Sequence, residues 1–202
     1  MNLLHVDSGI LGTSSVSRRL SAAAVAQWRE RHPETNVVYR DLVSDPIDHL
    51  TGDLLAAQRT GERSPAIRDT LAVGAKVLEE FLAADVVAVG APMYNFGIPS
   101  QLKAWIDRLA VAGKTFRYTE KGPIGLVGGK TVVVASSRGG FYGEDSPLNA
   151  IDHQEKYLSA VFSFFGITDI RFLRAEGVNV SAEQRQKAIA AAERNVVQLL
   201  AA

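Results

Sequence analysis

The sequence predicts an α/β protein built on one parallel sheet of five strands with helices on both faces. Two observations carry this. Five short apolar runs alternate with helix-length segments along the 202 residues, and that alternation calls for crossover helices between parallel strands. The third run, Val86-Val87-Ala88-Val89-Gly90-Ala91, is unbroken and rich in β-branched residues. A strand buried on both faces has this composition.

The elements follow in order. Leu3-Leu4-His5-Val6 is the first strand. Ser15 to about Glu30 has helical spacing through Leu20, Ala23, Ala24, Gln27 and Trp28, and Pro33 closes it. Asn36 to Leu42 is the second strand. Residues 43–63 are expected to be loop, with Pro46, Gly52 and Gly61 in it and room for a short helix at 53–59. Ser64-Pro65 reads as an N-cap with proline at the first helical position, and a helix follows through Leu71, Val77, Leu78, Phe81 and Leu82. Asp85 to Ala91 is the third strand. Ser100 to Leu109 is a helix with Leu102, Trp105, Ile106 and Leu109 on one face. The glycine-rich stretch 112–129 holds Phe116-Arg117-Tyr118-Thr119, aromatics that pin a loop to the core or lie over a pocket. Thr131 to Ser136 is the fourth strand, about Asp152 to Phe165 a helix, and Ile170 to Arg174 the fifth strand. Ser181 and Gln184 have capping-box spacing and open a last helix that runs to about Leu200. With no repeat, low-complexity segment or linker, residues 1–202 are expected to form a single domain.

Composition excludes several functions. Lys+Arg and Asp+Glu are both 22, which argues against general nucleic-acid binding and a polybasic membrane anchor. The chain has no cysteine, so disulfides, thiolate nucleophiles, cysteine-ligated zinc and iron–sulfur clusters are out. His5, His32, His49 and His153 have no metal-ligand spacing. No apolar run reaches the ~18–20 residues of a membrane span. The start Met1-Asn2-Leu3-Leu4-His5 has no basic region of the signal-peptide kind, and the expected location is the cytoplasm.

Three loops concentrate the chemistry. Asp7 to Ser17 joins the first strand to the first helix and holds two glycines and five hydroxyl residues. A helix N-terminus ringed by hydroxyls suits an anion, and with no cation before Arg18 it suits a phosphomonoester. Helix capping alone would need only one of those serines. Pro92-Met93-Tyr94-Asn95-Phe96-Gly97-Ile98-Pro99 follows the third strand, where ligands bind in open α/β sheets. Two prolines framing two aromatics and an amide give a stiff surface suited to a planar ring system. Ser137-Arg138-Gly139-Gly140-Phe141-Tyr142-Gly143 follows the fourth strand. Its glycines allow close backbone approach, and Arg138 is expected to face an anionic ring edge. Gly-x-Gly-x-x-Gly is absent after the first strand, Gly129-Lys130-Thr131 precedes a strand and is no P-loop, and no Gly-x-Ser-x-Gly elbow exists.

These loops would meet in a three-layer sandwich of strand order 2-1-3-4-5, the flavodoxin-like arrangement that places FMN at its switch point. At this point the chain closely resembles the FMN-dependent NADH-azoreductase family of flavodoxin-like quinone reductases. Ala91-Pro92-Met93-Tyr94-Asn95-Phe96, Thr115-Phe116-Arg117-Tyr118-Thr119, Ser136-Ser137-Arg138-Gly139-Gly140 and Phe165-Gly166-Ile167-Thr168-Asp169 carry the resemblance. It implies one FMN per subunit, held at the phosphate by Ser15, Val16 and Ser17. The ring would lie against Met93, Tyr94, Asn95 and Phe96 on one edge and Ser137, Arg138, Gly139 and Gly140 on the other. Tyr118 and Phe164 would line the substrate side, often across a homodimer interface. Many members have a second serine where this chain has Gly9; Ser8 or the Gly9 N–H is expected to stand in for its hydroxyl.

The implied activity is ping-pong hydride transfer from NADH to quinones, giving hydroquinols, or to azo bonds, giving amines. The flavin N5 carries the hydride, so no protein residue is expected to be catalytic, and no metal, nucleic acid or membrane takes part. Two other readings fit parts of the sequence. One is a flavodoxin-type electron carrier, against which the neutral charge speaks. The other is a flavin-free sensor of a phosphate ligand.

Overall fold

The computed structural model describes residues 1–61 and 64–201. Glu62 and Arg63, the end of the stretch expected to be loop, lie outside the described residues, as does Ala202. The elements are β1 (Asn2–Asp7), α1 (Val16–Arg31), β2 (Asn36–Asp41), α2 (Gly52–Thr60), α3 (Pro65–Ala83), β3 (Val86–Pro92), α4 (Ser100–Leu109), β4 (Phe116–Thr119), β5 (Gly122–Gly125), β6 (Thr131–Ser137), α5 (Gln154–Phe164), β7 (Asp169–Ala175) and α6 (Ala182–Leu199). Short 3-10 turns cover Gly12–Ser14 and Pro147–Ile151.

The main sheet is parallel, in the order β2-β1-β3-β6-β7. This is the expected 2-1-3-4-5 order once the extra hairpin strands β4 and β5 are counted. Successive residues of a strand point to opposite faces, so each inner strand feeds two cores. Leu4, Val6, Val87, Val89, Val132 and Val134 pack on one face with Phe81, Trp105 and Phe162. Leu3, Val86, Ala88, Val133 and Ala135 pack on the other with Leu20, Trp28, Ile189 and Val196. Burial is continuous along β3 and from Val132 to Ser137 in β6, and the apolar run of each follows from being covered on both faces.

Helix starts follow their side chains. Ser15, Thr51, Ser64 and Ser181 each accept a bond from a first-turn N–H. Only half of the capping box at α6 forms. Ser181 Oγ accepts from Gln184 N–H (3.0 Å), while the Gln184 amide donates to Glu176 O. The glycine-rich stretch 112–129 is more ordered than its composition suggests: β4 and β5 form an antiparallel hairpin. Among the described residues, no helix is long and apolar enough to cross a membrane.

Candidate functional site

Hydrogen bonds tie together three loops at the carboxyl ends of β1, β3 and β6. Tyr94 OH accepts from Ile10 N–H (3.1 Å), joining the β3 loop to the β1 loop. Met93 N–H donates to Ser137 O (2.8 Å), joining it to the β6 loop. Helix α5 joins from behind, with His153 N–H donating to Phe96 O (3.0 Å) and the Gln154 amide donating to Ala91 O (2.7 Å).

The β3 loop is a two-residue hairpin. Tyr94 and Gly97 exchange both backbone bonds at 3.0 Å. Asn95 (φ 48°) and Phe96 (φ 71°) fill the turn and are the positive-φ non-glycine residues among those described. A turn with both central residues left-handed favours Asn-Gly; phenylalanine there costs of order 1 kcal/mol or more. Strain of this kind persists only where the surroundings hold it, and the clamps on either side do so here. The hairpin bonds run between Tyr94 and Gly97, so the Asn95 and Phe96 N–H groups lie outside the pairing. Both side chains are exposed.

At the β1 end, α1 opens with Val16 and Ser17 as first-turn donors, which have no carbonyl within the helix to bond. Ser15 Oγ caps Arg18 N–H (3.5 Å) and meets Ser17 Oγ (3.1 Å). A Cβ added to Gly9 would overlap Ser15 Oγ and lie 3.2 Å from Ser17 Oγ. The missing Cβ at Gly9 therefore leaves the space that the Ser15 hydroxyl occupies and the Ser17 hydroxyl adjoins. Ser8 does not stand in for a missing hydroxyl. It is fully buried and its Oγ donates to Gly90 O (2.7 Å), so its hydroxyl serves the sheet.

Arg138 departs from expectation. Its guanidinium is turned inward and is 1% exposed, so it faces no ring edge. Nη2 pairs with Asp152 (3.0 Å) and Glu155, Nη1 with Glu176 (3.2 Å), and Nε donates to Ser136 Oγ (3.1 Å). A buried guanidinium needs such partners, and β6, the turn before α5, the start of α5 and the residue after β7 supply them. Arg138 supports the loop from beneath. Carbonyls of Arg138, Gly139 and Gly140 accept N–H groups of Val178, Asn179 and Gly177, a pairing that leaves the Gly139 and Gly140 N–H groups unused.

Tyr118 and Phe164 are not brought to these loops within one chain. Phe116 gathers them, at 5.4 Å from the Tyr118 ring and 4.7 Å from the Phe164 ring. Helix α5 begins beside Phe96 and is 11 residues long, about 16 Å at 1.5 Å per residue. Phe164, at its far end, is carried away from the hairpin.

One cluster escaped sequence reasoning. Asp7 and Asp41 end neighbouring strands in register, and Arg18 and Tyr39 lie between them. Arg18 grips Asp41 through two bonds (2.8 and 2.5 Å), and Tyr39 OH donates to Asp7 (3.1 Å). Ser21 Oγ donates to Asp7 Oδ1 (2.7 Å) and contacts His5 Nε2 (2.9 Å). The signal was the pairing of strands one and two, which sets their final residues side by side. The bond from Arg18 holds the Asp41 carboxyl down at about 2, against an ordinary 3.8. A depressed carboxyl contributes stability above its unfolded-state pKa and loses it as pH falls through the folded one. The contribution is therefore whole above about pH 4 and lost toward pH 2. Asp41→Asn should flatten that part of the acid limb in denaturation midpoints measured across this window.

The geometry is that of a sheet switch point, and similarity agrees. A family model described as flavodoxin-like fold matches residues 1–200. The chain belongs to the flavodoxin-like fold family. Within this family it is 60% identical over 199 residues to the FMN-dependent NADH:quinone oxidoreductase of Sinorhizobium fredii, covering 98% of this chain and 96% of that one. The Rhizobium meliloti protein of the same name is 58% identical, with the same coverage. Among solved flavodoxin-like structures, an azoreductase from Bacillus anthracis superposes with TM-score 0.89 at 31% identity, covering 98% of this chain and 97% of that one. A B. anthracis FMN-dependent NADH-azoreductase in complex with FMN gives TM-score 0.87 at 27% identity, with 98% of each chain covered.

Proposed function

We propose that this protein is an FMN-dependent NADH:quinone oxidoreductase that also reduces azo bonds. The observation that carries the proposal is the hydrogen-bonded meeting of the three loops. One end offers helix-start N–H groups and the Ser15 and Ser17 hydroxyls, and the other offers a strained turn with free amides.

The donors present fit FMN. A phosphomonoester suits the Val16 and Ser17 N–H groups with the two hydroxyls. Gly9 leaves room for those hydroxyls because it has no Cβ. Met93, Tyr94, Asn95 and Phe96 would hold one side of the ring, with Asn95 and Phe96 N–H groups as donors. Ser137, Gly139 and Gly140 would hold the other edge, while Arg138 keeps their loop in place. Bound FMN would supply the redox chemistry between NADH and a quinone or an azo compound. The protein's residues bind and orient; no side chain here is assigned as acid or base.

The working unit in this proposal is a homodimer of single domains spanning residues 1–202, in the cytoplasm, where NADH is at hand. Tyr118 (74% exposed) and Phe164, stranded from their own chain's hairpin, support the dimer. A partner would place them over its flavin as the substrate-side aromatics.

Anaerobic mixing tests the reading. NADH should bleach the FMN of the loaded protein, and a quinone should restore its absorbance. An electron carrier would not take a hydride from NADH unaided, and a protein that takes up no FMN would be the phosphate-ligand sensor.

A further inference from the structure

A single peptide group, Gly9–Ile10, is pinned at both ends by side chains from different parts of the fold. Its carbonyl accepts Arg18 Nε (2.8 Å), and its N–H donates to Tyr94 OH (3.1 Å). Neither anchor is loose. The Arg18 guanidinium is forked onto Asp41 and also donates to Tyr39 OH (3.1 Å), and Asp41 is itself held by Val43 N–H (3.0 Å). Tyr94 is locked by its two hairpin bonds to Gly97. A cation in the first turn of a helix runs against the helix dipole, so this position favours arginine only through what the side chain holds.

The pinned peptide has something to transmit. Ser15 Oγ and Ser17 Oγ lie beside Gly9, in and around the space that a Cβ on it would take. A tilt of the Gly9–Ile10 plane would move Gly9 into or away from that space, and so change where the two hydroxyls can sit. We propose that Arg18 and Tyr94 are positioning residues that together set the Gly9–Ile10 peptide, so that recognition of the phosphate at α1 depends on the hydroxyl of a residue in the ring loop. The inference rests on the FMN reading above. It assigns the Tyr94 hydroxyl to the protein, and leaves the rest of that residue to the ring.

The test is flavin binding by the apo-protein, read by fluorescence quenching, with FMN and riboflavin as the two probes. Riboflavin has the same ring and lacks the phosphate. Tyr94→Phe removes one oxygen and keeps the aromatic ring. It should raise the FMN Kd by about fivefold to tenfold, the scale of one lost hydrogen bond, and leave the riboflavin Kd within about twofold. Arg18→Met should do the same. The double variant should fall well short of the product of the single effects, because both side chains hold one peptide. Equal weakening of both flavins by Tyr94→Phe would make its hydroxyl a ring contact and overturn the proposal, as would no weakening of either. Wild-type protein that binds no FMN would instead overturn the functional reading. Thermal melting separates a displaced loop from an unfolded protein for Arg18→Met, and Tyr94→Phe decides the question if Arg18→Met does not fold.

Discussion

Arg138→Met is expected to cost about 3–5 kcal/mol of folding stability, the range for stranding one side of a buried ion pair. Asp152 and Glu155 are buried and packed against this guanidinium. Asp152 also accepts the Gln154 and Glu155 N–H groups (3.0 and 3.1 Å) at the start of α5, so the loss would reach the helix that backs the β3 hairpin. Glu155 keeps a second partner in Arg174 (2.8 Å), which limits but does not remove the penalty. Urea denaturation measures it; a loss below about 1 kcal/mol would mean that the acids find water or other donors. Glu176→Gln, at the most exposed of the three carboxylates, should cost less, because the amide oxygen of glutamine can still accept from Arg138 and from Tyr142 N–H.

Gly125→Ala has the second-largest expected effect. A Cβ there would fall onto the backbone of Phe165 and Gly166, where no rotamer change can relieve it. Overpacking usually costs about 1–3 kcal/mol, and a rigid backbone obstacle puts this variant at about 3. Val127 N–H donates to Phe165 O (3.0 Å) beside the contact, so the β4–β5 hairpin should lift from the end of α5 and take Tyr118 with it. Melting temperature and proteolytic cutting within 112–129 measure the change. Gly52→Ala is the control: nothing lies within 4 Å of its added Cβ, and as the first residue of α2 it should melt at or slightly above the wild-type temperature.

What was legible in the sequence follows from how local each signal is. Val86–Ala91 announces a doubly buried strand by itself, and Ser64-Pro65 announces a helix start by itself. Ser100–Leu109 shows its buried face through the spacing of Leu102, Trp105, Ile106 and Leu109. Loop positions at strand ends were equally readable, because the sheet order places them. The hairpin was not, since β4 and β5 have four residues each and β5 begins and ends in glycine, too little for alternation to register. Arg138 was misread because its partners lie at 152, 155 and 176, a distance no local pattern spans. Ser8 and Ser15 look alike in the sequence; the Gly90 carbonyl beside one and the helix start beside the other separate their roles.

The two left-handed residues of the β3 hairpin bear on anyone wishing to transplant this loop. Glycine would suit position 96 better on backbone grounds alone, so what phenylalanine brings there is its ring. The motif Met93–Phe96 is thus inseparable from its scaffolding: Gly97 to close the turn, His153 to hold the Phe96 carbonyl, Ser137 to hold Met93. Copied as four letters into a foreign strand end, it would relax to an ordinary bend. The transferable unit is the set of contacts, with the letters as its visible part.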